Sequence, residues 1–153
     1  MGLKEKIADQ MKAAMKSKDH LRLETLRTIR AALMEKEIER RGAGGATMSP
    51  DDELQVLTGA AKKRRESIEM FQKGGRTDLV EQETRELEII QEFLPKQMTS
   101  EEIAGVISAV ILETGAAGTA DFGKVMPAVM KQLKGKADGK VVQEAVRKAL
   151  GAA

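Results

Sequence analysis

Apolar residues recur every three or four positions along most of the chain, the spacing that places side chains on one face of an α-helix. β-branched residues are scattered and never alternate with polar ones over a run, so no strand is predicted. The pattern therefore predicts an all-α protein. The first two apolar stripes are expected to contain Leu3, Ile7, Met11, Ala14 and Met15, and then Leu23, Leu26, Ile29, Leu33 and Ile38.

Capping residues and glycines divide this pattern into seven helices. Ser49 precedes Pro50 as an N-cap, and Asp78 followed by Glu81 predicts a capping box. The glycine-rich residues 42–47 and the Gly74-Gly75 pair are expected to interrupt helices, since glycine is costly in a helix interior. The expected helices span about residues 2–16, 20–41, 50–73, 78–93, 100–114, 121–133 and 139–150.

A domain boundary is predicted at Leu94-Pro95-Lys96, because proline disfavours helical backbone in the residue before it. The helices before this point are long, and the three after it are short and joined by glycine-bearing loops. We therefore expect a helical domain over residues 1–95 and a small three-helix tail module over residues 96–153.

Composition excludes several kinds of site. The chain has no Cys, one His (His20), three Phe and no Trp or Tyr. A thiol nucleophile, a cysteine-ligated zinc and a two-histidine metal site are therefore absent, and no platform for stacking single-stranded bases is expected. We predict no catalytic residue, no metal and no cofactor. The charged N-terminus and the lack of a long apolar run favour a cytoplasmic protein without membrane contact.

Charge is distributed unevenly, although the whole chain carries only +2. Residues 122–153 hold seven basic and two acidic side chains, whereas residues 77–102 hold eight acidic and two basic ones. A basic module joined to an acidic helix either docks on that helix or faces a polyanion. Charge alone leaves both interpretations open.

The most site-like segment is residues 134–140, with the sequence KGKADGK. Its glycines allow close approach of the backbone to a ligand, and Lys134, Lys136 and Lys140 supply positive charge. Asp138 is predicted to cap the helix that follows. Such a segment could hold the phosphate oxygens of an RNA backbone, or it could be a solvated turn between two helices.

Two charged residues interrupt the apolar stripes of neighbouring helices. Arg64 falls within the stripe of the third expected helix, and Glu83 within that of the fourth. Burying one charge alone costs several kcal/mol, so each needs a partner. We predict that Arg64 pairs with Glu83, or with Glu86, across an antiparallel hairpin. Glu83 and Glu86 could also form an acid–base pair, but no nucleophile or metal-ligating histidine accompanies them.

Several motifs occur in order along nearly the whole chain. Together with Glu83 and Glu86, they are Lys62-Lys63-Arg64-Arg65-Glu66-Ser67, Gly75-Arg76-Thr77-Asp78-Leu79, Phe93-Leu94-Pro95-Lys96-Gln97, Asp121-Phe122-Gly123-Lys124-Val125-Met126 and Gly135-Lys136-Ala137-Asp138-Gly139-Lys140. This combination resembles the YqeY family. That family is similar to the C-terminal helical and tail regions of the B subunit of the glutamine-dependent aspartyl/glutamyl-tRNA amidotransferase.

This resemblance implies a two-part helical protein whose tail contacts tRNA. It also implies a family-level link to carbon–nitrogen ligases that use glutamine as nitrogen donor. In the amidotransferase, however, ATP use and transamidation belong to parts that are absent from 153 residues. The candidate RNA contacts are the lysines of the tail: Lys124, Lys131, Lys134, Lys136 and Lys140.

We therefore expect a noncatalytic adaptor that binds tRNA or another structured RNA, and no DNA. The alternative is a protein–protein interaction module for an enzyme or a ribosome-associated partner. A continuous lysine face on the tail favours RNA, whereas an exposed apolar patch there favours a protein partner.

Overall fold

The computed structural model describes residues 1–45 and 47–151, which form seven α-helices, one 3-10 turn and no β-strand. The prediction of an all-α fold is confirmed. Helix bounds lie within two residues of the predicted ones. Ala46 of the predicted loop at residues 42–47, and Ala152 and Ala153 of the predicted tail, lie outside the described residues. The helices are α1 (Leu3–Ser17), α2 (His20–Gly42), α3 (Pro50–Lys73), α4 (Thr77–Gln91), α5 (Ser100–Thr114), α6 (Phe122–Leu133) and α7 (Gly139–Ala149), with the 3-10 turn at Thr119–Asp121.

The chain divides into two compact units. Unit 1 is Met1–Leu94 and contains α1 to α4, and unit 2 is Pro95–Ala153 and contains α5 to α7. The assignment of residues 1–95 and 96–153 as two domains stays a prediction.

Unit 1 is built on a hairpin of α3 and α4, with α2 packed against both and α1 packed against α2. Two residues of the predicted stripes lie outside its core, since Met15 is 59% exposed and Ile38 is 65% exposed. Helix geometry explains both, because Met15 points about 100° away from buried Ala14, and Ile38 about 140° away from buried Leu33. The buried cluster consists of Ile7, Leu26, Ile29, Leu33, Leu57, Ala61, Ile89 and Ile90.

A buried carboxylate joins the end of α2 to the start of α3. Asp52 is 1% exposed and accepts hydrogen bonds from the Ser49 backbone N–H (2.8 Å) and the Ser49 hydroxyl (2.9 Å). Arg40 Nε donates to Asp52 Oδ1 at 3.0 Å. The Arg40 guanidinium, and then the Ser49 N–H, lower the pKa of Asp52 to about 2. Ser49 is the N-cap of α3, as predicted, and accepts from the Asp52 N–H.

The predicted capping box of Asp78 and Glu81 is wrong. The N-cap of α4 is Arg76, whose side chain makes no capping hydrogen bond, and Asp78 lies inside the first turn. Arg76 donates through Nε to Asp78 Oδ1 (3.2 Å) and through a terminal nitrogen to Oδ2 (3.0 Å). The carboxylate that was expected to cap the backbone is therefore held by a guanidinium, which lowers the pKa of Asp78.

Unit 2 packs α5, α6 and α7 around one apolar core. Lys136 N–H donates to the Leu133 carbonyl and ends α6, and Asp138 caps α7 by accepting from the Lys140 N–H at 3.2 Å. The buried residues are Ile103, Ile107, Val110, Val125, Val129, Leu133, Val142, Val146 and Leu150.

Helix α5 is the most apolar of the seven, and it exposes Leu112 by 86% while burying Ile103, Ile107 and Val110. Within the described residues, no individual helix has the length and apolar character that crossing a membrane requires. Ser100–Thr114 and Thr119–Leu133 meet the requirement only as a pair bent by 94°, by length and composition alone.

Candidate functional site

The lysine-bearing face of unit 2 is set by α6 and the loop after it. Residues 122–137 contain four lysines and no Asp or Glu. Val125, Val129 and Leu133, spaced four residues apart, are fully buried and fix which side of α6 faces the core. Its opposite side therefore presents only uncharged and positively charged groups. The exposed positions of α6 are Gly123, Lys124, Pro127, Lys131 and Gln132.

Lys124 and Lys131 share a side of α6. They are seven residues apart, which is nearly two turns and about 10 Å along the helix axis. Lys124 also donates from Nζ to the Thr114 carbonyl at 3.0 Å. This contact places a positive charge at the C-terminal end of α5, where the helix dipole is negative. Lys124 thus has a structural contact, and it lies at the opposite end of α6 from Lys134 and Lys136.

The loop after α6 is bound by the segment that begins unit 2. Gly135 is buried with φ +75°, a conformation that favours glycine, and its carbonyl accepts from Gln97 Nε2 at 2.8 Å. The Met98 N–H donates to the Lys136 carbonyl, also at 2.8 Å. These two bonds hold the loop's backbone while the side chain of Lys136 remains exposed.

This contact identifies two residues that the sequence interpretation missed, Lys96 and Gln97. Lys96 is exposed beside Gln97 and is brought to the same end of unit 2 as Lys134 and Lys136. Both residues belong to a motif that carries the family resemblance, which was the available signal. No local spacing indicates that Gln97 reaches a carbonyl 38 residues further along.

Lys140 lies in the first turn of α7, so it shares the loop end of unit 2. Lys134, Asp138 and Lys140 also interact within the protein. Acidic residues are present here as well, since Glu101 and Glu102 occupy the first turn of α5, close in sequence to Met98. Positive charge is nevertheless in excess at this end, where the basic residues are Lys96, Lys131, Lys134, Lys136 and Lys140.

In unit 1 the structure brings together the three residues predicted to form an ion pair. Arg64 Nε lies 3.0 Å from Glu86 Oε2 and 3.4 Å from Glu83 Oε2, joining α3 to α4. The side chains are only 19%, 12% and 19% exposed for Arg64, Glu86 and Glu83. Burial, and then the neighbouring charge of Glu86, raise the pKa of Glu83, while Arg64 opposes this change.

The ion pairs of this cluster connect α3 to α4, which is a structural role. Two carboxylates share one guanidinium, and Arg64 Nε and Glu83 Oε2 have no aligned hydrogen-bond partner within the described part of the chain. The cluster can join two helices and take up a proton. Across residues 1–45 and 47–151, no group of three or more His, Cys, Asp or Glu side chains could hold a metal ion.

Exposed apolar surface is more evident on unit 1 than on unit 2. On unit 2 the large exposed apolar side chains of the described residues are Leu112 and Val141, on different helices. On unit 1, Met34 is 49% exposed and Ile38 follows it by one turn of α2. A cavity of about 330 Å³ adjoins Met34 and is lined by Lys4, Ile7, Ala8, Arg30, Leu33 and Met34.

Comparison with known families agrees with the sequence motifs. A family profile described as Yqey-like protein matches residues 4–150. The chain belongs to the YqeY family. The match covers both units and all seven helices except the first residue of α1.

Fungal relatives of this YqeY-family chain carry the name Altered inheritance of mitochondria protein 41, mitochondrial. The chain is 38% identical to the protein from Lachancea thermotolerans over 84 residues, 55% of this chain and 43% of the relative. It is 31% identical to that from Eremothecium gossypii over 109 residues, 70% of this chain and 58% of the relative. It is 31% identical to that from Pyrenophora tritici-repentis over 146 residues, which are 93% of this chain and 77% of the relative. The chain thus matches about half the length of the first two relatives.

Proposed function

We propose that this protein is a noncatalytic adaptor that binds structured RNA, with tRNA as the preferred class, through the lysine face of unit 2. The observation that carries the proposal is the run of residues 122–137. It folds so that α6 and the following loop expose Lys124, Lys131, Lys134 and Lys136 with no carboxylate between them.

Lysines arranged in this way suit the RNA backbone. An ammonium group is a compact point charge that pairs with phosphate without reading base identity. Helix α6 has 12 residues, so the face is about 18 Å long before the loop lysines extend it. Contacts of this kind recognise the shape and phosphate pattern of a folded RNA and weaken steeply with salt.

The choice of tRNA rests on the resemblance to the amidotransferase B subunit, whose related tail contacts tRNA. In this proposal any link to carbon–nitrogen ligase chemistry comes through a partner enzyme, because the resemblance does not extend to the parts of the amidotransferase that use ATP and carry out transamidation. A cytoplasmic location stays a prediction, and the fungal relatives have the word mitochondrial in their names.

Filter-binding titrations with a purified tRNA at 50 to 300 mM salt test the proposal. We expect K131A/K134A/K136A to weaken binding by about 10- to 100-fold at low salt. The negative slope of log K against log salt should also become shallower by about 2. Each phosphate that the variant no longer neutralises contributes roughly 0.7 to 0.9 to that slope. The matched control is K62A/K63A/K73A, which removes three exposed lysines from α3.

Two results would overturn the proposal. One is the absence of tRNA binding by the unmodified protein at 50 mM salt. The other is an equal loss of affinity in the two triple variants, because the effect would then depend on net charge and not on the lysine face.

The second candidate function is a protein–protein interaction module, and the exposed Met34 and Ile38 of α2 favour it. The flexible side chain of methionine adapts to the shape of a partner. In a pull-down from cell extract, I38D should lose a partner that the unmodified protein retains, with its melting temperature unchanged. Retention of every partner by I38D would argue against this function.

A further inference from the structure

Phe122 and Arg147 form a stacked pair at the end of unit 2 where α6 begins. Arg147 Cζ lies 5.2 Å from the centroid of the Phe122 ring, within the distance of a cation–π contact. Phe122 is half-buried, and Arg147, from the last turn of α7, is exposed. A planar guanidinium and an aromatic ring are the two side-chain surfaces on which unpaired bases commonly stack.

A cavity of about 280 Å³ adjoins this pair and is lined by Thr119, Phe122, Arg147 and Leu150. We call it the Phe122 pocket. Leu150 is 7% exposed and supplies an apolar wall, whereas exposed Thr119 supplies a hydroxyl. The lining thus combines apolar surfaces with a few polar groups, which matches a planar heterocycle with apolar faces and a polar edge.

The charges around the Phe122 pocket also favour part of a nucleic acid. Lys124 shares the first turn of α6 with Phe122 but points about 200° away from it around the helix axis, and Gly123 between them adds no side chain and faces open space. Lys148 is exposed beside Arg147. The neighbouring carboxylate of Asp121 is bound by the Ala117 N–H at 2.9 Å. A phosphate next to a base in the pocket would therefore find its positive partners on α7, at Arg147 and Lys148.

We propose that the Phe122 pocket binds one unpaired nucleobase of the RNA that lies on the lysine face. This inference rests on the proposed RNA-binding function and adds to it a preference for a flipped-out or bulged nucleotide. With few aromatic residues the protein has no extended stacking platform, but one ring and one guanidinium suffice for a single base.

The first experiment compares two short RNA hairpins at fixed salt, one with a bulged adenosine and one with an abasic nucleotide at that position. We expect the unmodified protein to bind the bulged hairpin about tenfold more tightly, which is ~1.4 kcal/mol. R147K keeps the charge but loses the planar group, and should lose most of this preference. K148A is the matched control, and it should weaken binding of both hairpins equally.

The second experiment uses free nucleotides and does not depend on RNA affinity. Adenosine monophosphate should shift the NMR resonances of the Phe122 ring and of Thr119, whereas ribose 5-phosphate should not. F122L keeps an apolar side chain and should abolish the nucleotide-specific shift, while an unchanged far-ultraviolet circular dichroism spectrum would show that it remains folded.

The outcomes separate the two proposals. If tRNA binds with the expected salt dependence but the bulged base gives no advantage, the Phe122 pocket is excluded and the lysine face stands. If no RNA binds, the proposed function is wrong, and the nucleotide titration alone decides the pocket. Equal shifts with adenosine monophosphate and ribose 5-phosphate, or none with either, would overturn it.

Discussion

Replacing Arg64 by Met tests the ion cluster between α3 and α4. Methionine keeps most of the apolar stem of the arginine but removes the charge that lies 3.0 Å from Glu86 and 3.4 Å from Glu83. Two carboxylates are then left facing each other with only 12% and 19% exposure. We expect R64M to be strongly destabilised at neutral pH.

The magnitude follows from the geometry. Removing one partner of a buried ion pair costs about 3 to 5 kcal/mol, and the partial exposure of this cluster places the loss near ~3 kcal/mol. For a chain of 153 residues, each kcal/mol corresponds to about 2 to 4 °C, so the melting temperature should fall by about 6 to 12 °C. The loss should be smaller at pH 5 than at pH 7.5, since protonation of Glu83 removes one of the facing charges.

Thermal unfolding followed by circular dichroism at the two pH values measures this effect. K63M, which neutralises an exposed residue one position earlier, is the control and should change the melting temperature by less than about 2 °C. A change in R64M no larger than in K63M, or a loss that is the same at both pH values, would refute the role assigned to Arg64.

Three further predictions concern stability. The raised pKa of Glu83 means that the folded protein holds the proton more tightly than the unfolded chain, so this contribution is present at low pH and is lost as pH rises. E83Q should therefore match the unmodified protein near pH 4 in urea unfolding and exceed its midpoint at pH 7.5, and an advantage largest at acid pH would contradict this. The pKa of Asp52 is lowered to about 2 from 3.8, so its contribution is present above the ordinary value and is lost as pH falls. The urea midpoint of D52N should lie below that of the unmodified protein at pH 7 and converge with it near pH 2, and a constant difference would count against the Arg40 contact as its cause. L133A removes a fully buried side chain and should lower the free energy of unfolding by about 2 to 5 kcal/mol. L112A changes an 86% exposed site and should lower it by less than about 0.5 kcal/mol. Calorimetric melting measures both variants, and equal losses would mean that the core of unit 2 is misassigned.

Helices and caps could be predicted from the sequence because they depend on neighbours three or four residues apart. The same local rule failed where direction around the helix matters, since Met15 and Ile38 continue the spacing but point away from the core. It also failed at Asp78, because Arg76 competes for the carboxylate that would otherwise cap the helix.

Contacts between segments that are distant in the sequence were harder to predict. Arg64, Glu83 and Glu86 could be placed together because charged residues interrupting two apolar stripes require partners, and a short Gly74-Gly75 turn brings the helices side by side. The bond from Gln97 to Gly135 has no comparable signal. It links a loop to a main-chain carbonyl, and the chain between them contains two helices with their own packing requirements.

The motifs shared with the YqeY family fall into two groups once their contacts are known. Several polar members are engaged inside the protein: Gln97 binds the Gly135 carbonyl, Asp121 accepts from Ala117, and Asp138 caps α7. The role of these three side chains in the fold is therefore enough to explain why the motifs contain them.

Among the described members of the same motifs, Lys96 and Lys136 are exposed, and half-buried Phe122 lines a cavity at the surface. None of the folding contacts described above uses the ammonium group of Lys96 or Lys136, whereas Phe122 packs against the core of unit 2 and its ring contacts Arg147. Lys96 and Lys136, like Lys62 and Lys63 of the first motif, are exposed positions that these folding contacts do not explain. The RNA proposal assigns a phosphate contact to Lys136 on unit 2 and none to Lys62 and Lys63, and the two triple-lysine variants measure that difference.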